Sequence, residues 1–209
     1  MTLDLPLIWA GIIAFAVLTY VILDGFDEMS KQLDPQTVAA AIQAHFGGTD
    51  AVVNAAGSNV PQRSWAELTP DDYRALMASN LDGAFHLVRT FLPEMRARRC
   101  GVFVFINSEA GLRASAKRGV GYVAAKFGLT GLAQSLSAEE KPNGIRVCSI
   151  FPGDIDTPLL DRRPQPPSGE ARKNMLQPDD VAAAVEFVLS LPARAVVEEL
   201  LIRPAVAQS

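Results

Sequence analysis

Cysteine and histidine are scarce in this 209-residue chain, with two of each. Cys100 and Cys148 show no metal-ligand spacing, and two histidines cannot complete a zinc site. The composition therefore assigns no metal ligand. Both cysteines read as small core residues of a reducing compartment. Excess positive charge is lacking too. Lys and Arg number 19 against 23 Asp and Glu, a net charge of -4 and an isoelectric point near 5.2. With no basic block, nucleic-acid binding gains little support. No internal repeat stands out.

One long charge-free run is present, at the start. Leu7 to Leu23 is 17 residues without a charge, preceded by Leu5 and Pro6 and followed by Asp24. At ~1.5 Å per residue it spans roughly 26 Å, close to the ~30 Å hydrocarbon core of a bilayer. Trp9 and Tyr20 would sit near opposite interfaces. A secretory signal fits poorly, because the leading MTLD carries no cation and no small-residue cleavage site follows. Two readings remain: a membrane helix over residues 1–28, or a buried strand and helix of a soluble fold. Gly11 is the only glycine inside the run, so the second lacks the punctuation a strand-turn-helix needs. The expectation is an anchor, with Lys31 weakly favouring a cytoplasmic C-terminal domain.

From Asp34 to the C-terminus the pattern alternates helix and strand. Asp34-Pro35 opens a helix with Val38, Ile42 and Phe46 four apart. "AVVNAAG" (51–57) is a short strand entering a turn. A long helix covers 70–97, after a Thr69-Pro70 boundary. "VFVFIN" (102–107) is apolar on both faces, as a buried parallel strand should be. A helix over about 121–139, a strand at 146–151, a helix at 178–191 and a strand near 195–202 complete the series. This order predicts an α/β domain over 34–209 with a doubly wound parallel sheet. The Pro- and Arg-rich stretch 162–174 reads equally as a surface loop or a substrate lid.

The chemistry lies in "GYVAAK". Tyr122 and Lys126 are four apart, so they share one helix face. A free phenol with a pKa of ~10 is a poor base, and an adjacent ammonium favours its phenolate. Alone, this spacing is common on solvated helix faces. Fourteen residues upstream, Ser108 ends the strand "VFVFINS", and open α/β sheets keep ligands at the C-terminal ends of strands. Asn80 lies on the preceding helix, "NAAG" follows an earlier strand and "FPGDIDT" (151–157) a later one.

Asn80, Ser108, Tyr122 and Lys126, bracketed by NAAG and PG-x-x-x-T, resemble the short-chain dehydrogenase/reductase family over roughly residues 35–203. The resemblance implies a Rossmann-like fold and hydride transfer between a carbonyl or alcohol substrate and NADP or NAD. It implies that Tyr122 handles the hydroxyl proton and Ser108 hydrogen-bonds the reacting oxygen. Lys126 would hold the nicotinamide ribose and depress the tyrosine pKa, and Asn80 would shape its helix for a proton relay through water. Asn54, Ala55 and Gly57 would line the adenosine side of the cofactor. Pro152, Gly153, Ile155 and Thr157 would border the nicotinamide amide and phosphates. Residues 109–117 and 161–174 would border the pocket. Helices 70–97 and 121–139 would pair two copies of the chain.

The family's opening glycine turn, TG-x-x-x-G-x-G, has no counterpart in residues 1–50. Backbone amides at a helix N-terminus normally hold the cofactor diphosphate there. The expectation is therefore an incomplete, truncated Rossmann-like domain with impaired cofactor binding, or an inactive chimeric remnant acting as an interaction protein. "AVVNA" would then be an apolar edge strand with unpaired backbone groups. Residues 1–27 separately resemble the first helix of subunit II of the cytochrome bd-type quinol oxidases, ending in Asp24-Gly25-Phe26-Asp27. None of that family's later helices follow.

Overall fold

The computed structural model describes residues 48–206. The apolar run at 5–23, the likeness of residues 1–27 and the helix opening at Asp34-Pro35 lie outside these residues. Among the described residues no helix is long and apolar enough to cross a membrane.

Four parallel strands form one sheet in the order β1 (Ala51–Asn54), β2 (Gly101–Ile106), β3 (Ile145–Pro152), β4 (Glu199–Ile202). β2 is central because every second residue is apolar on each face. Phe103 and Phe105 face the helices α2 (Gly83–Arg98) and α3 (Val120–Glu140), packing with Val88, Met95, Leu129 and Val147. Val102 and Val104 face the other way, with Cys148, Ile150 and Val188 of α5 (Pro178–Ser190). Helices thus cover both faces, as a parallel sheet requires.

The long helix of 70–97 is present but not regular. It opens as α1 (Pro70–Met77), where Thr69 Oγ1 accepts the Asp72 N–H at 3.1 Å and proline occupies the first turn. A π-helical turn, Ala78–Asp82, follows and leads straight into α2. Such wide turns concentrate at functional sites. α2 ends on Arg99 at φ 53, a left-handed cap. Arg96 Nε donates to the buried Glu140 carboxylate at 3.0 Å and ties α2 to α3.

Gly144 turns the chain from α3 into β3 at φ +78, where an added Cβ would collide with the Arg99 carbonyl. Gly144→Ala is expected to lower unfolding stability by about 1–2 kcal/mol. Urea denaturation checks this; an unchanged midpoint would contradict the packing described.

The 162–174 stretch is tethered rather than loose. Arg163 pairs with Asp154 at 2.6 Å, and Arg172 with Asp156 at 3.2 Å. A short helix, α4 (Gly169–Arg172), is capped by Ser168.

Candidate active site

Ser108 stands just beyond the C-terminal end of β2, where the chain leaves the sheet. Its Oγ accepts the Ala110 N–H at 3.1 Å and an N–H of Arg118 at 3.0 Å. A hydroxyl has two acceptor sites and one proton. With both acceptor sites used, the Ser108 proton is left to face the phenol oxygen of Tyr122, whose ionised form it favours.

Tyr122 lies in the first turn of α3. Burial pushes its phenol above the ordinary tyrosine range, and Asp154 adds to that. The Ser108 hydroxyl and the charges of Arg118 and Arg163 pull in the opposite direction without cancelling it. Among the cations, Arg118 and Arg163 favour the phenolate. Lys126 Nζ lies 5.7 Å from the Tyr122 ring centroid.

Lys126 is 2% exposed, and its ammonium donates to the Ile106 carbonyl at 3.3 Å. Burial lowers its pKa from 10.5 to about 8. An ammonium carries three donors. Among the described residues one carbonyl takes its proton, which leaves capacity for further acceptors. Asn80, 1% exposed, sits inside the π-helical turn. Its Nδ2 donates to the carbonyls of Leu76 at 2.9 Å and Ser58 at 3.0 Å, and its Oδ1 accepts the Ser58 N–H at 3.3 Å. The wide turn thus clamps the loop that follows β1. Gly57 in that loop has no room for a side chain. A Cβ there would stand 2.9 Å from Asn80 Oδ1 and 3.4 Å from Lys126 Nζ.

One cleft brings Ser108 and Tyr122 together with Pro152, Gly153, Ile155 and Thr157. Lys126, Asn80 and Gly57 form a second group directly behind. Asn54 and Ala55 are not part of the cleft wall; Asn54 is buried and its Oδ1 accepts the Ala56 N–H at 3.1 Å, which shapes the turn. Asn107 braces β2 against α3 by donating to Thr130 Oγ1 at 2.9 Å and to the Lys126 carbonyl at 3.3 Å.

Four cations of the cleft wall, Arg63, Lys117, Arg118 and Arg163, escape a reading of the sequence. Lys117 falls in the 109–117 stretch and Arg163 in the 161–174 stretch, but neither charge is singled out there. The signal for Arg118 is its place four residues before Tyr122, on the short turn that leads into α3. Arg63, in a polar stretch between Pro61 and Trp65, gives none.

A family model described as short chain dehydrogenase matches residues 26–167. The chain is similar to sepiapterin reductase of Chlorobaculum tepidum, 29% identical over 85% of this chain and 70% of that protein. It is also similar to D-beta-hydroxybutyrate dehydrogenase of Cupriavidus necator, 30% identical over 81% of this chain and 71% of that protein. Among solved structures, an alcohol dehydrogenase of the archaeon Thermococcus sibiricus complexed with 5-hydroxy-NADP superposes with a TM-score of 0.70. It is 28% identical, and the match covers 82% of this chain and 69% of that one. A metagenomic short-chain oxidoreductase in complex with NADP gives a TM-score of 0.67 at 28% identity, covering 83% and 69%. With its parallel sheet, its Ser108–Tyr122 pair and a family match over most of its length, this chain belongs to the short-chain dehydrogenase family of oxidoreductases.

Proposed function

We propose that this protein interconverts a carbonyl and an alcohol using NADP(H) or NAD(H). The observation that carries the reading is the convergence of the Ser108 hydroxyl, the Tyr122 phenol and the buried Lys126 ammonium at the ends of β2 and α3. The bare Gly57 surface beside the unfilled donors of Lys126 suits the vicinal hydroxyls of a nicotinamide ribose. When bound, the nicotinamide supplies or takes up the hydride. The protein's part is proton handling. In reduction, Ser108 and Tyr122 donate hydrogen bonds to the carbonyl oxygen, and Tyr122 then gives its proton to the developing alkoxide. Lys126 would hold the ribose, and its ammonium, 5.7 Å from the Tyr122 ring centroid, would return a proton towards Tyr122. In oxidation the same groups run in reverse, with the phenolate as base. Pro152, Gly153, Ile155 and Thr157 would border the nicotinamide.

The bound NADP of the solved neighbours makes NADP the first cofactor to test. Pairing of two copies belongs to the same proposal. The exposed aromatic side chains Tyr73, Phe85 and Phe127 on α1, α2 and α3 supply apolar surface for it. The run at 5–23 would hold this domain to a membrane.

A second reading concerns strength of binding. The TG-x-x-x-G-x-G spacing does not occur in residues 1–50, so the diphosphate would lack the backbone donors of that turn. Titration of the 209-residue chain with NADPH and NADH, followed by nucleotide fluorescence, is expected to show weak association. Micromolar affinity would refute this expectation and favour unimpaired turnover.

A further inference from the structure

We propose that the substrate is an anion: a small hydroxy- or oxocarboxylate whose carboxylate is held by Arg63 and Arg118 beside the reacting oxygen. This rests on the oxidoreductase reading above and adds the substrate class to it.

The charge of the cleft is unbalanced. Arg63, Lys117, Arg118 and Arg163 all line it, with Asp154 as the one carboxylate of its wall among the described residues. Lys117 at 3.5 Å and Arg163 at 2.6 Å share Asp154. Burial works against the Asp154 charge. Arg163, Lys117 and Arg118 outweigh it and hold the group below the usual carboxylate range. Arg118 meets Glu109 at 3.0 Å, and Arg203 also pairs with Glu109. Two carboxylates are thereby spread over three cations of the wall and a fourth cation outside it.

Arg63 has no carboxylate at all among the described residues. It is 7% exposed, yet its guanidinium is met only by main-chain carbonyls: Val60 at 2.9 Å, Arg162 at 3.0 Å and Lys117 at 3.5 Å. Carbonyls orient a guanidinium without neutralising it. A buried charge lacking a counter-ion is unfavourable, and burial together with Arg163 opposes the charge of Arg63. An incoming carboxylate removes that penalty, and a guanidinium can bind it with two parallel hydrogen bonds.

Placement supplies the second argument. Arg118 reaches the Ser108 hydroxyl at 3.0 Å, so the cations stand beside the group that meets the substrate oxygen. A short acid fits, with its carboxylate close to the reacting carbon. A coenzyme phosphate offers the same anionic chemistry from another source, and the experiment separates the two.

The test is calorimetric titration of the full chain, with and without NADP, using 3-hydroxybutanoate, its neutral methyl ester and inorganic pyrophosphate. The acid is expected to bind and the ester to bind at least about tenfold more weakly. Arg63→Gln and Arg118→Gln should each weaken the acid by about tenfold or more and leave the ester unchanged. The exposed Arg194→Gln, outside the cleft wall, should alter neither. Melting curves accompany every variant. If Arg63→Gln loses its fold, Arg118→Gln decides. Equal binding of acid and ester, no binding of acid, or indifference to both substitutions overturns the proposal. So does pyrophosphate binding that displaces the acid and depends on the same arginines. Oxidation of neutral alcohols as efficient as that of acids sinks the anion site and leaves the oxidoreductase reading intact. Acid binding without turnover of any alcohol does the reverse.

Discussion

Tyr122→Phe is expected to lower kcat by about 10²–10⁴-fold, the usual contribution of a positioned proton donor or base. The ring keeps its place in α3 and only the hydroxyl is lost, a change of about 1 kcal/mol or less in stability. A variant that melts close to the parent and turns over slowly would locate proton transfer at the phenol. Retained turnover would remove Tyr122 from the reaction. The pH profile adds a sign. Because burial leaves the phenol above its ordinary range despite Arg118 and Arg163, alcohol oxidation should keep climbing as the solution becomes alkaline. Carbonyl reduction, which needs the protonated phenol, should fall over the same interval.

Lys126→Met should abolish turnover and at the same time raise stability at pH 7 by about 2 kcal/mol. In the folded state the Lys126 pKa is about 8, against 10.5 as the ordinary value. The lowered value means that folding disfavours the charged form. Below pH 8 the ammonium persists folded and unfolded, and the full destabilisation of roughly 3 kcal/mol is present. Between pH 8 and 10.5 the folded protein releases the proton first, and stability rises with pH. Methionine has similar length and no charge, so it removes the penalty. It also leaves the Ile106 carbonyl without its donor, at a cost of about 1 kcal/mol. Urea unfolding of both proteins at pH 7 and pH 10 measures this. A methionine variant less stable than the parent at pH 7 would show that the ammonium is better solvated than its burial indicates.

The sheet was legible because each strand announces its environment. "VFVFIN" is apolar on both sides, and β2 is the strand with helices over both faces. The Pro- and Thr-marked start of α1 and the extents of α3 and α5 follow from local capping and spacing that do not depend on distant residues. Ser108, Tyr122 and Lys126 could be found because strand ends and a four-residue spacing translate directly into place. The π-helical turn at Asn80 could not. Its residues read as ordinary helix, and the widening comes from bonds to Ser58, twenty-two positions away. Arg63 was hidden for the same reason. What marks it is the lack of a counter-ion, a property of three converging loops that no short segment contains.

That turn lets the helix absorb a change of length. It holds one residue more than a regular turn would, and five residues of the wider turn advance about as far round the axis as four of an α-helix. Removing one of residues 78–82 would leave a smooth rod, and Ala84, Val88, Phe91 and Met95 would go on meeting the sheet. Such a deletion would cost the grip of Asn80 on Ser58 instead. A deletion scan should therefore find folded variants with the loop after β1 released, whereas removing a single residue from the middle of α2 would turn its apolar face off the sheet by about 100°.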